Sequence, residues 1–130
     1  VGFPGETEEE FVQTLDFIQK CAFSSMHIFP YSKRPGTPAA QRPDQILNHV
    51  KEERAPRAAA VAGAMEQRYL SRWLGETVSV LFEEQRDGAW HGYTTRYVPV
   101  CVESAENLHN CLRDVHILSA EHGTLRGELA

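Results

Sequence analysis

Apolar positions along the chain follow two periods, and the change between them falls near Gly75. In the first part Phe11, Val12, Leu15, Ile18 and Ala22 recur at helical spacing, which predicts one amphipathic helix. Thr7 and Glu10 ahead of it form a capping-box pair, and Glu8, Glu9 and Glu10 suit the positive end of the helix. Met26, Ile28 and Phe29 then make a short apolar run, expected as a buried strand whose pairing stops at Pro30, a residue without a backbone N–H. Pro35-Gly36 predicts a turn. Pro43 and Asp44 are expected to open a helical region through Ile46, Leu47 and Val50, kinked or restarted at Pro56. Ala58, Val61, Ala62, Met65, Tyr69 and Trp73 carry the helical period on to Gly75, a suitable C′ residue. The reading favoured for this stretch is a structural strut.

Past Gly75 the period becomes two. Val78, Val80 and Phe82 alternate with polar residues, and Asp87-Gly88 is a hairpin turn signal. Trp90–Thr94, Tyr97–Val102, Leu112–Leu118 and Leu125–Leu129 read as further strands, with Gly123-Thr124 turning the last pair. Five short strands between glycine turns predict a small closed barrel of the OB type. The predicted fold class is thus α/β followed by all-β.

Charge and cysteine content narrow the function. A chain of 130 residues with a formal charge of −5 does not match a simple basic nucleic-acid binder. The basic residues are nonetheless concentrated between Lys33 and Arg72, where eight of them outnumber Asp44, Glu52, Glu53 and Glu66. Cys21, Cys101 and Cys111 are odd in number and lack a C-x-x-C pair, which argues for reduced thiols in a cytoplasmic protein and against a metal set or disulfide framework. No apolar run approaches the roughly 20 residues that span a bilayer, so no membrane partner is expected. Val1 opens onto VGFPGET as if at a strand end, and the chain is expected to begin inside a larger domain. The order strand end, glycine turn, helix, strand reads as a βα unit feeding a parallel neighbour. Tyr31, Ser32, Lys33 and Arg34 follow the second strand, where ligand-touching groups sit in parallel-sheet proteins.

Taken together, VGFPGETEEEF, HIFPYSKRPGTPAA and the final Gly75–Ala130 resemble a known family. The first is similar to the segment after the fifth strand of a radical S-adenosylmethionine (SAM) barrel. The second is similar to the last-strand signature of the methylthiotransferase branch, and the third to the TRAM barrel of those enzymes. The implied domains are 1–42, the C-terminal part of the partial TIM-like radical SAM barrel; 43–74, a helical connector; and 75–130, the OB-like TRAM domain. Within the branch, His27–Ser32 and Gly92-Tyr93-Thr94…Tyr97 most resemble the type that methylthiolates N6-threonylcarbamoyladenosine beside the tRNA anticodon. The type acting on N6-isopentenyladenosine, and a non-enzymatic RNA-binding adaptor, are the alternatives.

The resemblance implies two [4Fe–4S] clusters and SAM in the parent enzyme. Cys21, Cys101 and Cys111 match neither cluster-ligand set, so no catalytic or metal-ligating residue is expected here and the 130 residues alone should be inactive. Gly2, Phe3, Pro4, Gly5 and Glu6 match the turn lining the SAM site. Tyr31, Ser32, Lys33 and Arg34 would lie where a tRNA anticodon stem-loop enters a monomeric enzyme. Trp90, His91, Tyr93, Arg96 and Tyr97 are the barrel's RNA candidates, aromatics interleaved with a cation, with barrel core the competing role for Trp90 and Tyr97. The chain departs from the family in placing Asp114 and His116 where relatives often carry Lys or Arg. The basic stretch Lys33–Arg72 is therefore expected to do more of the RNA gripping.

Overall fold

A computed structural model describes residues 1–130, which form two compact units, Val1–Glu66 and Gln67–Ala130. The first contains α1 (Glu8–Cys21), the single-turn α2 (Pro38–Gln41) and most of α3 (Asn48–Leu70). The capping box at α1 is complete: Thr7 Oγ1 accepts from Glu10 N–H at 3.1 Å, and Glu10 Oε2 accepts from Thr7 N–H at 2.9 Å. Ala22 closes the helix in the left-handed region at φ 52°. Phe11 is fully buried, but Val12 on the expected apolar face is exposed.

Three expectations need correction in this unit. Met26–Phe29 forms no regular strand, and Phe29 is 74% exposed. Its backbone has one partner, Val1, whose N–H donates to Phe29 O at 2.8 Å and whose carbonyl accepts from Tyr31 N–H at 2.7 Å. That is the bonding of a parallel bridge, and it flanks Pro30 instead of stopping before it. Successive residues of an extended chain point opposite ways, so the Pro30 nitrogen faces the other edge, where no N–H is needed. The helix expected from Pro43 starts only at Asn48, and α2 comes before it with Thr37 as its cap and Pro38 as its first residue. Finally, α3 continues through Pro56, so the helix does not restart there.

The second unit is a closed barrel with strand order β1-β2-β3-β5-β4. Its strands are β1 (Thr77–Arg86), β2 (Ala89–Thr94), β3 (Pro99–Glu103), β4 (Leu112–Glu121) and β5 (Thr124–Leu129). All neighbours are antiparallel except β3 and β5, which run parallel. This is the Greek-key closure of an OB-type barrel, as the alternation predicted. The hairpin turns are built on left-handed pairs, Asp87-Gly88 (φ 51° and 83°) and His122-Gly123 (φ 50° and 77°). The last turn thus sits one residue earlier than expected. Tyr97 also leaves its predicted strand, because it occupies the β2–β3 turn at φ 58°.

Val80, Phe82, Val100, Val115, Ile117 and Leu125 fill the barrel at 1% exposure or less, each contributing about 1.5–3 kcal/mol of burial. Leu108 from the β3–β4 connection and Leu70 from the end of α3 join the same core, with Tyr69 and Trp73 packed against it. For that reason the second compact unit begins at Gln67, ahead of Gly75. Bulges after Phe82 in β1 and after Ile117 in β4 bend the two long strands, the device that lets a small sheet close.

Candidate nucleic-acid interface

In the first unit the glycine turn is clamped from one side of α3. Gly2 and Gly5 both lie at positive φ, 76° and 81°, which favours residues without a Cβ. A Cβ on Gly2 would also meet the Lys51 stem, and one on Gly5 the Asp44 carboxylate. Lys51 and Arg54, one helical turn apart, are 8% and 5% exposed. Arg54 donates to Glu6 Oε1 at 2.8 Å and to the Glu6 carbonyl at 2.9 Å, while Gly2 N–H donates to Glu6 Oε1 at 2.9 Å. Lys51 Nζ donates to the Tyr31 carbonyl at 3.0 Å and lies 5.3 Å from the centre of its ring.

These contacts bring Phe3 and Tyr31 edge to face at 5.4 Å, with the Arg42 guanidinium 5.9 Å from the Phe3 centroid. Pro4 is buried and Phe3 half exposed. The Tyr31 hydroxyl is buried without a hydrogen-bond partner. Ser32 and Lys33 are exposed and line an open cleft of about 610 Å³ with Tyr31, Leu47 and Lys51. Arg34 is exposed and makes no ion pair.

The basic stretch is less available than its composition suggested. Arg42 pairs with Asp44, Arg54 with Glu6 and Glu8, and Arg57 with Glu8 and Glu53. The hydrogen bond from Arg57 holds the Glu8 carboxyl below its ordinary range, and that from Arg42 does the same for Asp44. With Lys51 turned inward, the cations left without a carboxylate between residues 33 and 72 are Lys33, Arg34, Arg68 and Arg72. Lys51 and Arg54 hold the turn, a role their place in a basic helix did not reveal.

On the barrel, Trp90 is corrected to core: it is 7% exposed and packs inside with Phe82 and Val100. The strand alternation that turns Val80 and Phe82 inward turns Trp90 inward too, so its ring cannot stack on a base. His91 and Tyr93 point outward from β2, Tyr93 being 44% exposed, and Tyr97 is 86% exposed in the turn. Register sets Tyr93 beside Leu81 of β1 and Pro99 of β3, and Leu81 beside Leu112 of β4. Asp114 and His116 lie on the outer side of β4, opposite Ser79 and Thr77. Arg96 is exposed, its guanidinium 5.9 Å from the centroid of Trp73.

No group of three or more His, Cys, Asp or Glu side chains is placed to hold a metal ion. Cys21 is exposed, Cys101 buried and Cys111 half-buried. Burial pushes the Cys101 thiol up, against the opposing pull of Arg126. No helix is long and apolar enough to cross a membrane.

The chain thus combines a five-stranded barrel of the OB type with a clamped glycine turn and a rim in which Tyr31 is half-buried and Ser32, Lys33 and Arg34 are exposed. Comparison with known proteins is more specific. The chain is 39% identical over 133 residues to a Bacillus subtilis protein named threonylcarbamoyladenosine tRNA methylthiotransferase MtaB, with 98% of this chain covered. It is 35% and 37% identical to proteins of Ehrlichia canis and Acetivibrio thermocellus named tRNA-2-methylthio-N(6)-dimethylallyladenosine synthase, with 98% and 99% of it covered. It spans 28–30% of the length of these relatives. No protein-family model matches the chain. Over nearly its whole length the chain is thus homologous to a segment of proteins named as tRNA methylthiotransferases.

Proposed function

We propose that this chain is part of an enzyme that methylthiolates C2 of N6-threonylcarbamoyladenosine at position 37 of tRNA. The observation that carries the reading is the 39% identity, running through both units, to the Bacillus subtilis protein named for that substrate. Residues 1–42 would be the closing part of a radical SAM barrel, 43–74 a connector, and 75–130 the TRAM domain. In the parent, SAM and [4Fe–4S] clusters would supply the radical, the sulfur and the methyl group. The three separated cysteines do not fit a cluster, so its ligands would come from outside these residues and no step is assigned to them here.

The turn fits a SAM contact in one respect: Phe3 presents a half-exposed ring over a rigid backbone. Glu6 is already committed to Gly2 and Arg54, so it acts by holding the shape of the turn. Tyr31, Ser32, Lys33 and Arg34 would meet the anticodon stem-loop, Tyr31 through its ring and the cations through phosphates. A second reading, action on the dimethylallyl-type nucleoside, draws support from the relatives at 32–37% identity that bear that name.

Mass spectrometry of tRNA nucleosides after deletion of the gene separates the two. Loss of the 2-methylthio derivative of threonylcarbamoyladenosine, with its unthiolated precursor accumulating, is expected. An unchanged threonylcarbamoyl pool with accumulation of the dimethylallyl precursor would replace this reading by the second.

A further inference from the structure

We propose that Lys51 is a positioning residue: it grips the main chain of Tyr31 and so fixes the direction in which that ring meets a base, without itself touching phosphate. Two lysines line the open cleft of about 610 Å³ beside Tyr31, and their surroundings divide the work between them. Lys33 is exposed and has no carboxylate partner, the setting of a cation that can neutralise phosphate. Lys51 also lacks a carboxylate partner, but it is only 8% exposed. Burying an ammonium costs free energy unless other contacts replace those it made with water. Here both replacements come from Tyr31. Nζ donates to its carbonyl at 3.0 Å and lies 5.3 Å from the centre of its ring.

The stem of Lys51 is held as firmly as its charge. A Cβ on Gly2 would stand 2.5 Å from Cγ, 3.1 Å from Cδ and 3.3 Å from Cε. The aliphatic chain therefore lies along the Gly2 backbone, where only glycine leaves it room. The other backbone group of Tyr31 is engaged as well, its N–H donating to Val1 O at 2.7 Å. Both ends of the Tyr31 peptide are thus tied to the glycine turn, one through Val1 and the other through Lys51 packed on Gly2. Since the backbone restricts which rotamers a side chain adopts, this tie aims the ring. Phe3 of the same turn meets it edge to face at 5.4 Å. A base stacked on Tyr31 is thereby placed relative to the turn, and a misplacement of about 1 Å between reacting partners can cost about a hundredfold in rate.

This role rests on the reading of Tyr31 and Lys33 as RNA contacts given above. The test uses the full-length protein that contains this chain and a fluorescent RNA hairpin with the sequence of a tRNA anticodon stem-loop. Lys51→Met keeps an apolar stem over Gly2 and removes the bond to Tyr31. It should weaken RNA binding about tenfold, leave the slope of log affinity against log salt unchanged, and have no effect when Tyr31 is already alanine. Lys33→Gln should lower that slope by about 0.7 and combine additively with Lys51→Met. In the unmutated protein, an amine-acetylating reagent should modify Lys33 quickly and RNA should protect it. Lys51 should react slowly, at the same rate with and without RNA.

A salt slope lowered by Lys51→Met, or protection of Lys51 by RNA, would make it a phosphate contact and overturn the inference. So would an equal loss in the Tyr31→Ala background, because Lys51 would then act through something other than Tyr31. Losses in Tyr31→Ala and Lys33→Gln with Lys51→Met unaffected would sink this inference alone. Wild-type affinity in all three variants would remove the rim as an RNA surface, and the role of Lys51 with it.

Discussion

Replacing Gly92 by alanine sets two effects of opposite sign against each other. Glycine inside a strand is destabilising by roughly 0.5–1 kcal/mol relative to alanine, so propensity alone predicts a gain. In the barrel, however, Gly92 of β2 lies opposite Phe82 of β1, at the bulge. A Cβ there would stand 2.8 Å from both Leu81 C and Phe82 Cα, and closer still to the Leu81 carbonyl oxygen. These are backbone atoms that no rotamer change can move. Overpacking costs typically about 1–3 kcal/mol, and the fixed neighbours place Gly92→Ala at the top of that range, for a net loss of about 2 kcal/mol. At about 4–8 °C per kcal/mol for a domain of this size, the barrel should melt about 8–16 °C lower. Tryptophan fluorescence reads this cleanly, since Trp73 and Trp90 both lie in the second unit. Gly63→Ala is the counterpart: its Cβ would meet nothing within 4 Å in an exposed helix interior. It should stabilise α3 by up to about 1 kcal/mol. A Gly92→Ala protein melting at or above the parent temperature would refute the close approach of β1 and β2.

Arg54→Ala should leave the Glu6 carboxylate partly buried with only the Gly2 N–H. Loss of one partner of a buried pair costs about 3–5 kcal/mol, so amides held by the turn, Gly5 and Glu6, should exchange with solvent at least about a hundredfold faster; unchanged protection would count against the clamp. Glu8 and Asp44 are held below their ordinary values of 4.5 and 3.8 by Arg57 and Arg42. A depressed carboxyl pKa stabilises the fold above its unfolded value, and the contribution is lost as pH falls through the folded one. Carboxyl NMR titration should therefore find both midpoints low, Arg57→Ala should raise that of Glu8 while Arg54 still holds it down in part, and the first unit should lose stability below about pH 4. Exposed Cys21 should be alkylated quickly, whereas Cys101, buried and with its thiol pushed up, should react only on unfolding; equal rates would contradict its place in β3.

The sequence by itself determined whatever depends on neighbours a few residues apart. The Thr7–Glu10 box, the left-handed Asp87-Gly88 turn and the inward set Val78, Val80 and Phe82 are written in short-range chemistry, and the barrel follows because alternating strands can bury one face only by closing. Tertiary structure decided the partners of side chains far apart in the chain. Arg54 and Glu6 are 48 residues apart, so a helix read as basic turned out to have two of its cations buried under a glycine turn. Trp90 became core because alternation from the turn set its face, the competing role that the sequence already offered for it. Met26–Phe29 forms no ladder, its one backbone bond being the one Phe29 O accepts from Val1. The approach of Arg96 to Trp73 was not legible at all, since the 3₁₀ turn Ser71–Trp73 and the β2–β3 turn meet only when the barrel closes.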